Sequence, residues 1–391
     1  PTYNGGVDRA LNLLLYPSNL ASPGRLVKIA RSLSPLFSQT HIVGIDQGEL
    51  PTDEAAAPTV RLMRIRGASL GAPLGGVRVV GAWGARVYRR FARQRVAAVS
   101  AQNLFLLPLA HALARRTGAV FAYNAHELET ETVGSAGLRQ RLQRVIERRY
   151  IRRADVVSVV NESIAQWYRE AYPGVDPVVV TNAPTGMEGV IDLRAQLGIP
   201  QEAILYLHSG YLAPGRNIPL ILRAFGQVKS AHVVFVGSGA LLPKVERAAA
   251  EHANIHHLPP VEPDQVLAMT RGADAALCLI ESGCLSHRMS TPNKMMEAFA
   301  AGVPALCSPL SEARRYLGDQ ADTWVLEDPE RDLVSALESI TREDIEAFTA
   351  PAIPTWEEGA ARLREAYERA LAARAHRTYS PLKRPLKRPH Q

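Results

Sequence analysis

Residues 289–309 read MSTPNKMMEAFAAGVPALCSP. Ser290, Thr291 and Pro292 open a helix, Gly302 closes it, and a short apolar strand from Pro304 to Cys307 follows at once. Such a helix handed directly to a strand is the step that builds a parallel α/β sheet. Asn293, Lys294 and Glu297 crowd the first turn and a half, where the backbone N–H groups lack partners. One reading is capping, with Pro at the first helical position, Ser and Thr as caps and Glu near the positive dipole end. The other is that this helix end receives an anion.

Working outward, the same alternation runs through the chain. In the second half AILYLHS (203–209), HVVFVG (232–237), NIHHLPP and AALCLI (275–280) read as strands, with helices between them such as NIPLILRAFGQV (217–228). In the first half LNLLLYPS (11–18), HIVGI (41–45), VRLMRI (60–65), VAAVSA (96–101), AVFAYNAH (119–126), VVSVV (156–160) and VVVTN (178–182) are the expected strands. RLVKIARSL (25–33), 104–116 and about 136–153 are expected helices. The pattern predicts an α/β protein of two doubly wound, Rossmann-like domains, 1–182 and 191–354, joined by the Pro/Gly linker 183–190. A helix at 355–374 is expected to return to the first domain, and 375–391 forms a basic tail read as disordered. A ligand then belongs in the cleft between the strand ends.

Composition narrows the class. Hydrophobic residues are 47% and charged residues 21% of the 391, ordinary for an α/β protein. Cys278, Cys284 and Cys307 show no paired spacing, which argues against disulfides and a zinc site and for a reducing, cytoplasmic setting. No apolar run reaches the length of a membrane span. The net charge of +7 is unevenly placed: residues 1–182 carry 23 Lys and Arg against 13 Asp and Glu, residues 183–373 carry 16 against 25, and the tail is basic. A basic first half points to an anionic surface or substrate there.

Three second-half loops follow strand ends. HSGYLAPGRN (208–217) offers the amides of Ser209 and Gly210 and the cation Arg216, a combination suited to a diphosphate. VGSGALL (236–242) is a small-residue turn containing Gly237 and Ser238, but Leu242 stands where a dinucleotide fingerprint needs its third glycine. SHRMSTPNKMMEAF (286–299) is the third. Each alone reads more readily as an ordinary tight turn; together at the strand ends of one domain they favour anion binding. In YNAHELETE (123–131) the residue four after His126 is Thr130, so this is no zinc-protease motif. His252, His256 and His257 lack the spacing of a metal site.

Two stretches combine arginines with an apolar stripe: residues 78–95, with Val80, Trp83, Val87 and Phe91, and residues 138–153, with Leu138, Leu142, Val145 and Tyr150. Each is either a surface helix packed on a sheet through its stripe or an element that docks on anionic lipid, from Arg78 to Arg95 and Arg139 to Arg153. No nucleic-acid-binding module is present in the pattern.

HSGYLAPGRN, VFVGSG and STPNKMMEAFAAGVP, in that order after YNAHELETE and VVTNAP, resemble the family 4 (group 1) glycosyltransferases of GT-B fold, over about residues 11–373. PNKMMEAFAAGVP is the most specific part. The resemblance implies a UDP- or GDP-linked sugar donor on the second domain and an acceptor, a glycan or lipid-linked intermediate of polysaccharide or glycoconjugate biosynthesis, on the first. It implies that Glu297 holds the ribose hydroxyls, that Arg216 and Lys294 with the amides of Ser209 and Gly210 hold the diphosphate, and that Ser290, Thr291 and Asn293 lie against the distal phosphate and sugar. Gly237 and Ser238 would approach the nucleoside, and His126 the transferred sugar. Met289 stands where the family often has a first glutamate, Tyr211 where it often has arginine, and the usual glycine pair after the first strand is missing. The expected reaction is retaining, without a cofactor or obligatory metal, since no Asp-x-Asp pair occurs. A sugar-nucleotide epimerase, a non-catalytic GT-B scaffold and a basic nucleic-acid binder are the competing functions.

Overall fold

A computed structural model of the chain describes residues 10–67, 79–184 and 186–379. Arg78, the side chain of Val80 and the tail from residue 380 lie outside the described residues. The first sheet contains β1 (Leu11–Leu15), β2 (Gln39–Asp46), β3 (Asp53–Ala57), β4 (Val60–Arg66), β5 (Val96–Ala101), β6 (Val120–Ala125), β7 (Val156–Val159) and β8 (Val178–Val179). Their order is β3-β4-β2-β1-β5-β6-β7-β8. The second sheet contains β9 (Ile204–Ser209), β10 (Ala231–Val236), β11 (Ile255–Leu258), β12 (Ala275–Cys278) and β13 (Ala305–Cys307), ordered β11-β10-β9-β12-β13. Central strands are buried on both faces, which is why they read as unbroken apolar runs rather than as alternating ones. The winding direction reverses between β1 and β5 and between β9 and β12, and ligands in such sheets bind beyond the carboxyl ends at that crevice.

Several elements depart from expectation, among them the helices between Ser311 and Ala347, which the sequence pattern does not signal, and the last helix, which continues to Tyr379 into the stretch expected to be a disordered tail. The sheet edge β3 pairs antiparallel with β4, so the first sheet is mixed; DEAAA opens on two exposed acids and only half-buries Ala56 and Ala57, so its apolar signal is weak. The helix Glu162–Ala171, absent from the reading, starts where the Asn161 side chain accepts from the Ile164 N–H at 2.8 Å. The last strand of the first half shrinks to Val178–Val179.

The two arginine-rich stretches behave differently. Trp83, Val87 and Phe91 are fully buried in the first core, so that stripe is structural. The other stripe is inverted except at Tyr150, which packs against the first core. Leu138, Leu142 and Val145 are 82, 54 and 65% exposed, while the helix Gly137–Tyr150 turns Gln143 and Glu147 inward. Glu147 accepts from the Tyr168 and Tyr172 hydroxyls, each at 2.7 Å, and Gln143 donates to the Glu129 carbonyl at 3.2 Å. A buried hydrogen-bond network therefore sets the orientation of this helix, with the Gln143 Oε1 left unpartnered among the described residues, and the reading in which its apolar stripe packs on the sheet is corrected.

The final helix, Trp356–Tyr379, packs on the first sheet: Trp356, Ala360, Leu363, Ala366 and Tyr367 share a core with Leu14, Leu26, Ile29 and Val180. Trp356 also donates its indole N–H to Ser32 at 3.1 Å. Among the described residues no helix is long and apolar enough to cross a membrane.

Candidate active site

The helix that begins the quoted stretch runs Asn293–Ala300, with Pro292 in the extended capping position (φ −63°, ψ 136°) and no side chain capping it. The Ser290 hydroxyl donates backward to the His287 carbonyl at 2.7 Å. The Thr291 hydroxyl accepts from Asn161 of the other domain, also at 2.7 Å. Side-chain capping by Ser290 or Thr291 is thus ruled out, and Pro292 precedes the helix rather than occupying its first turn. The helix end looks into a cavity of about 530 Å³ between the two domains.

His126, Ser209, Gly210, Arg216, Ser290, Thr291, Asn293, Lys294 and Glu297 all line this cavity. Gly237 and Ser238 line an adjoining one of about 220 Å³, walled by Leu207, Tyr211, Val236, Pro260, Val261 and Met269. The loop between them is close-set. Gly237 has φ +147°, and a Cβ there would stand 2.0 Å from the Gly210 carbonyl oxygen, so only glycine fits. Gly215, with φ +84°, donates its N–H to the Glu281 carboxylate at 3.2 Å, which holds the turn presenting Arg216.

Lys294 is the electrostatic centre of the second-domain wall. Its Nζ lies 3.2 and 3.1 Å from the two ring nitrogens of fully buried His208. Burial, with Arg216 nearby, pushes the lysine down to about 8, while Cys278 and Glu297 oppose the shift. Burial, Lys294 and Arg216 hold His208 well below the usual imidazole range, so it stays neutral and accepts. Burial raises the Glu297 carboxyl, against the pull of Lys294 and a hydrogen bond from Ser209. On the opposite wall, burial and then Arg25 push His126 down to about 3; its Nε2 lies 3.3 Å from the Gln102 Oε1. At neutral pH it is an uncharged hydrogen-bonding group.

The domains are tied beside the cavity. Asn161 donates to the Met289 carbonyl and to Thr291, both at 2.7 Å. The Ser163 N–H and hydroxyl donate to Glu312 at 2.9 and 2.6 Å, and that fully buried carboxylate is also held by Arg315 at 2.7 Å. A carboxylate from one domain thereby sits at the N-terminus of a helix of the other.

Sequence reasoning missed Arg25, Glu127, Asn182, His208 and His287 in the cleft region. His208 carried a signal, as the residue before Ser209 at a strand end; the others did not. The three histidines weighed as a metal site are dispersed: His252 meets Lys229, His256 stacks on His232, and His257 meets the Gly237 carbonyl.

A parallel α/β domain and one that is parallel but for its β3 edge, with a cationic, carboxylate-bearing cleft between their strand ends, have the architecture of the GT-B fold. The chain belongs to the group 1 glycosyltransferases. Residues 189–348 match the family described as glycosyl transferases group 1, and residues 25–186 match the glycosyl transferase 4-like domain. No curated protein matches the chain in sequence. In structure the chain is similar to sucrose-phosphate synthase from Thermosynechococcus elongatus, at TM-score 0.67 and 16% identity over 95% of this chain and 98% of that one. It is similar to HepE of Anabaena in complex with UDP-glucose, at TM-score 0.59 and 14% identity over 94 and 97%. It also resembles the Escherichia coli structure described as trehalose-6-phosphate bound with UDP-2-fluoro glucose, at 0.61 and 10% over 94 and 98%. At these identities the likeness is one of fold.

Proposed function

We propose that this glycosyltransferase moves a sugar, with retention and without an obligatory metal, from a UDP- or GDP-linked donor to an acceptor presented at an anionic membrane surface. The observation that carries the donor assignment is the convergence of Ser209, Arg216, Lys294, Glu297 and an uncapped helix end on one wall of the cleft, with neutral His126 opposite. Arg216, Lys294 and the helix N-terminus hold the diphosphate and stabilise the charge that grows on it as the sugar departs. Glu297 accepts the ribose hydroxyls, and the smaller apolar cavity beside Gly237 and Ser238 takes the base. His126 positions the sugar, and the donor phosphate takes the acceptor's proton. The UDP-sugars in the HepE and Escherichia coli structures support this donor class.

The membrane face rests on the exposed ridge of Val133, Leu138, Leu142 and Val145 among exposed Arg139, Arg141, Arg148 and Arg152. Apolar burial together with attraction to anionic headgroups fits this surface.

Thermal shift with UDP, GDP, dTDP and ADP, in the presence of chelator, tests the donor site, and the anomeric configuration of the product tests retention. Folded protein that no nucleotide stabilises would favour a non-catalytic scaffold; an altered sugar released without acceptor would favour an epimerase. Sedimentation with vesicles of phosphatidylglycerol and phosphatidylcholine tests the surface. Salt-sensitive binding lost in Leu138→Ser/Leu142→Ser is expected, and no binding at low salt overturns it.

A further inference from the structure

On the first-domain wall of the cleft, Arg25 stands in the first turn of the ten-residue helix Gly24–Leu33, past the loop that leaves β1. Its Nη2 donates to the Val180 carbonyl at 2.8 Å, and its guanidinium carbon lies 5.7 Å from the centre of the Trp356 ring. Its Nε and Nη1 are shut off from solvent and have no hydrogen-bond partner among the described residues. A guanidinium presents five donors in a rigid fork, and leaving two of them buried and unpaired is unfavourable unless a ligand completes the set. Burial pushes Arg25 down to about 10, which leaves it cationic at neutral pH.

Arg25 belongs to the first domain and Arg216 and Lys294 to the second, and all three line the one cavity. After burial, Arg25 is the charge that lowers His126. Glu127 lines the same cavity but forms no ion pair with Arg25. The cleft thus holds two positive centres, one on each domain, and in the donor reading the nucleotide diphosphate meets the one on the second domain.

We propose that Arg25 is the binding site for a second anionic group, a carboxylate or phosphate, carried by the acceptor or by the transferred sugar. The word "second" rests on the donor reading above; the anion site itself does not.

The test uses the full chain and inorganic phosphate as probe, read as a Tm shift at constant ionic strength with the best-binding nucleotide diphosphate saturating. Phosphate is expected to stabilise the wild type further and to have no such effect on Arg25→Gln. Arg25→Lys keeps the charge but loses the fork, so phosphate should bind it about fivefold more weakly; this variant decides the matter if Arg25→Gln does not fold. A parallel comparison of UDP-glucuronic acid with UDP-glucose separates the sources. A preference of about tenfold or more for the uronate, abolished in Arg25→Gln, places the anion on the donor sugar. Phosphate binding without such a preference places it on the acceptor. Phosphate that binds Arg25→Gln as it binds wild type, or wild type that shows neither effect, overturns the proposal and leaves Arg25 as a pin for Val180 and Trp356. If no nucleotide binds, the donor reading fails by itself, and phosphate titration of Arg25→Gln against Arg216→Gln still decides the site.

Discussion

Raising the pH from 7.5 to 9 should weaken nucleotide-diphosphate binding through Lys294. In the free protein burial and Arg216 bring this lysine down to about 8 from 10.5. A diphosphate beside it favours the ammonium and returns the pKa towards its ordinary value. Binding then takes up a proton wherever the free lysine is neutral. Below pH 8 the affinity is flat; above it the affinity falls about tenfold per pH unit until the bound-state pKa is reached. At pH 9 the loss is about tenfold, or ~1.4 kcal/mol. Calorimetric titration in two buffers of different ionisation enthalpy reads both quantities, and proton uptake should rise from near zero towards one per site. Arg at this position remains charged, so Lys294→Arg should bind with little dependence on pH. An affinity that stays flat to pH 9 without proton uptake would refute the placement of Lys294 against the diphosphate. An unchanged slope in Lys294→Arg would assign the titration to another group.

Arg216→Ala should cost at least about 2–3 kcal/mol in glycosyl transfer, on the scale of losing one preorganised donor; steady-state kcat/KM checks it, and retained activity removes Arg216 from this role. Gly237→Ala should destabilise the second domain by on the order of 2 kcal/mol or more, because its Cβ meets the Gly210 backbone at 2.0 Å; urea denaturation measures it. Burial raises Glu147 from 4.5 to about 7, so the folded state holds a proton that the unfolded state releases between those values. Stability therefore falls as pH rises across that window and levels off above it. Glu147→Gln should flatten the fall by on the order of 1–3 kcal/mol, measured by denaturation at pH 5 to 8, while Glu129, raised to about 8, keeps its own share.

The sequence by itself determined the two-sheet architecture, since apolar runs, helical periods and turn residues are local signals that survive without tertiary context. It also placed Ser209, Arg216, Lys294 and Glu297 together, because strand ends in doubly wound sheets converge on one cleft. It lost the edge strand β3, whose two exposed acids and small alanines give only a weak apolar pattern. The tertiary structure decided what depends on distant partners. The helix Gly137–Tyr150 exposes Leu138 and Leu142 because Glu147 and Gln143 find buried hydrogen bonds with Tyr168, Tyr172 and Glu129. Thr291 serves as an interdomain contact rather than a cap because Asn161, 130 residues away, reaches it. Arg25 looks like any first-turn arginine in the sequence; its unsatisfied nitrogens exist only once Val180 and Trp356 close around it. Local patterns set which elements form, whereas burial and the pairing of polar groups across the chain set which face each element turns inward and which charges remain to meet a ligand.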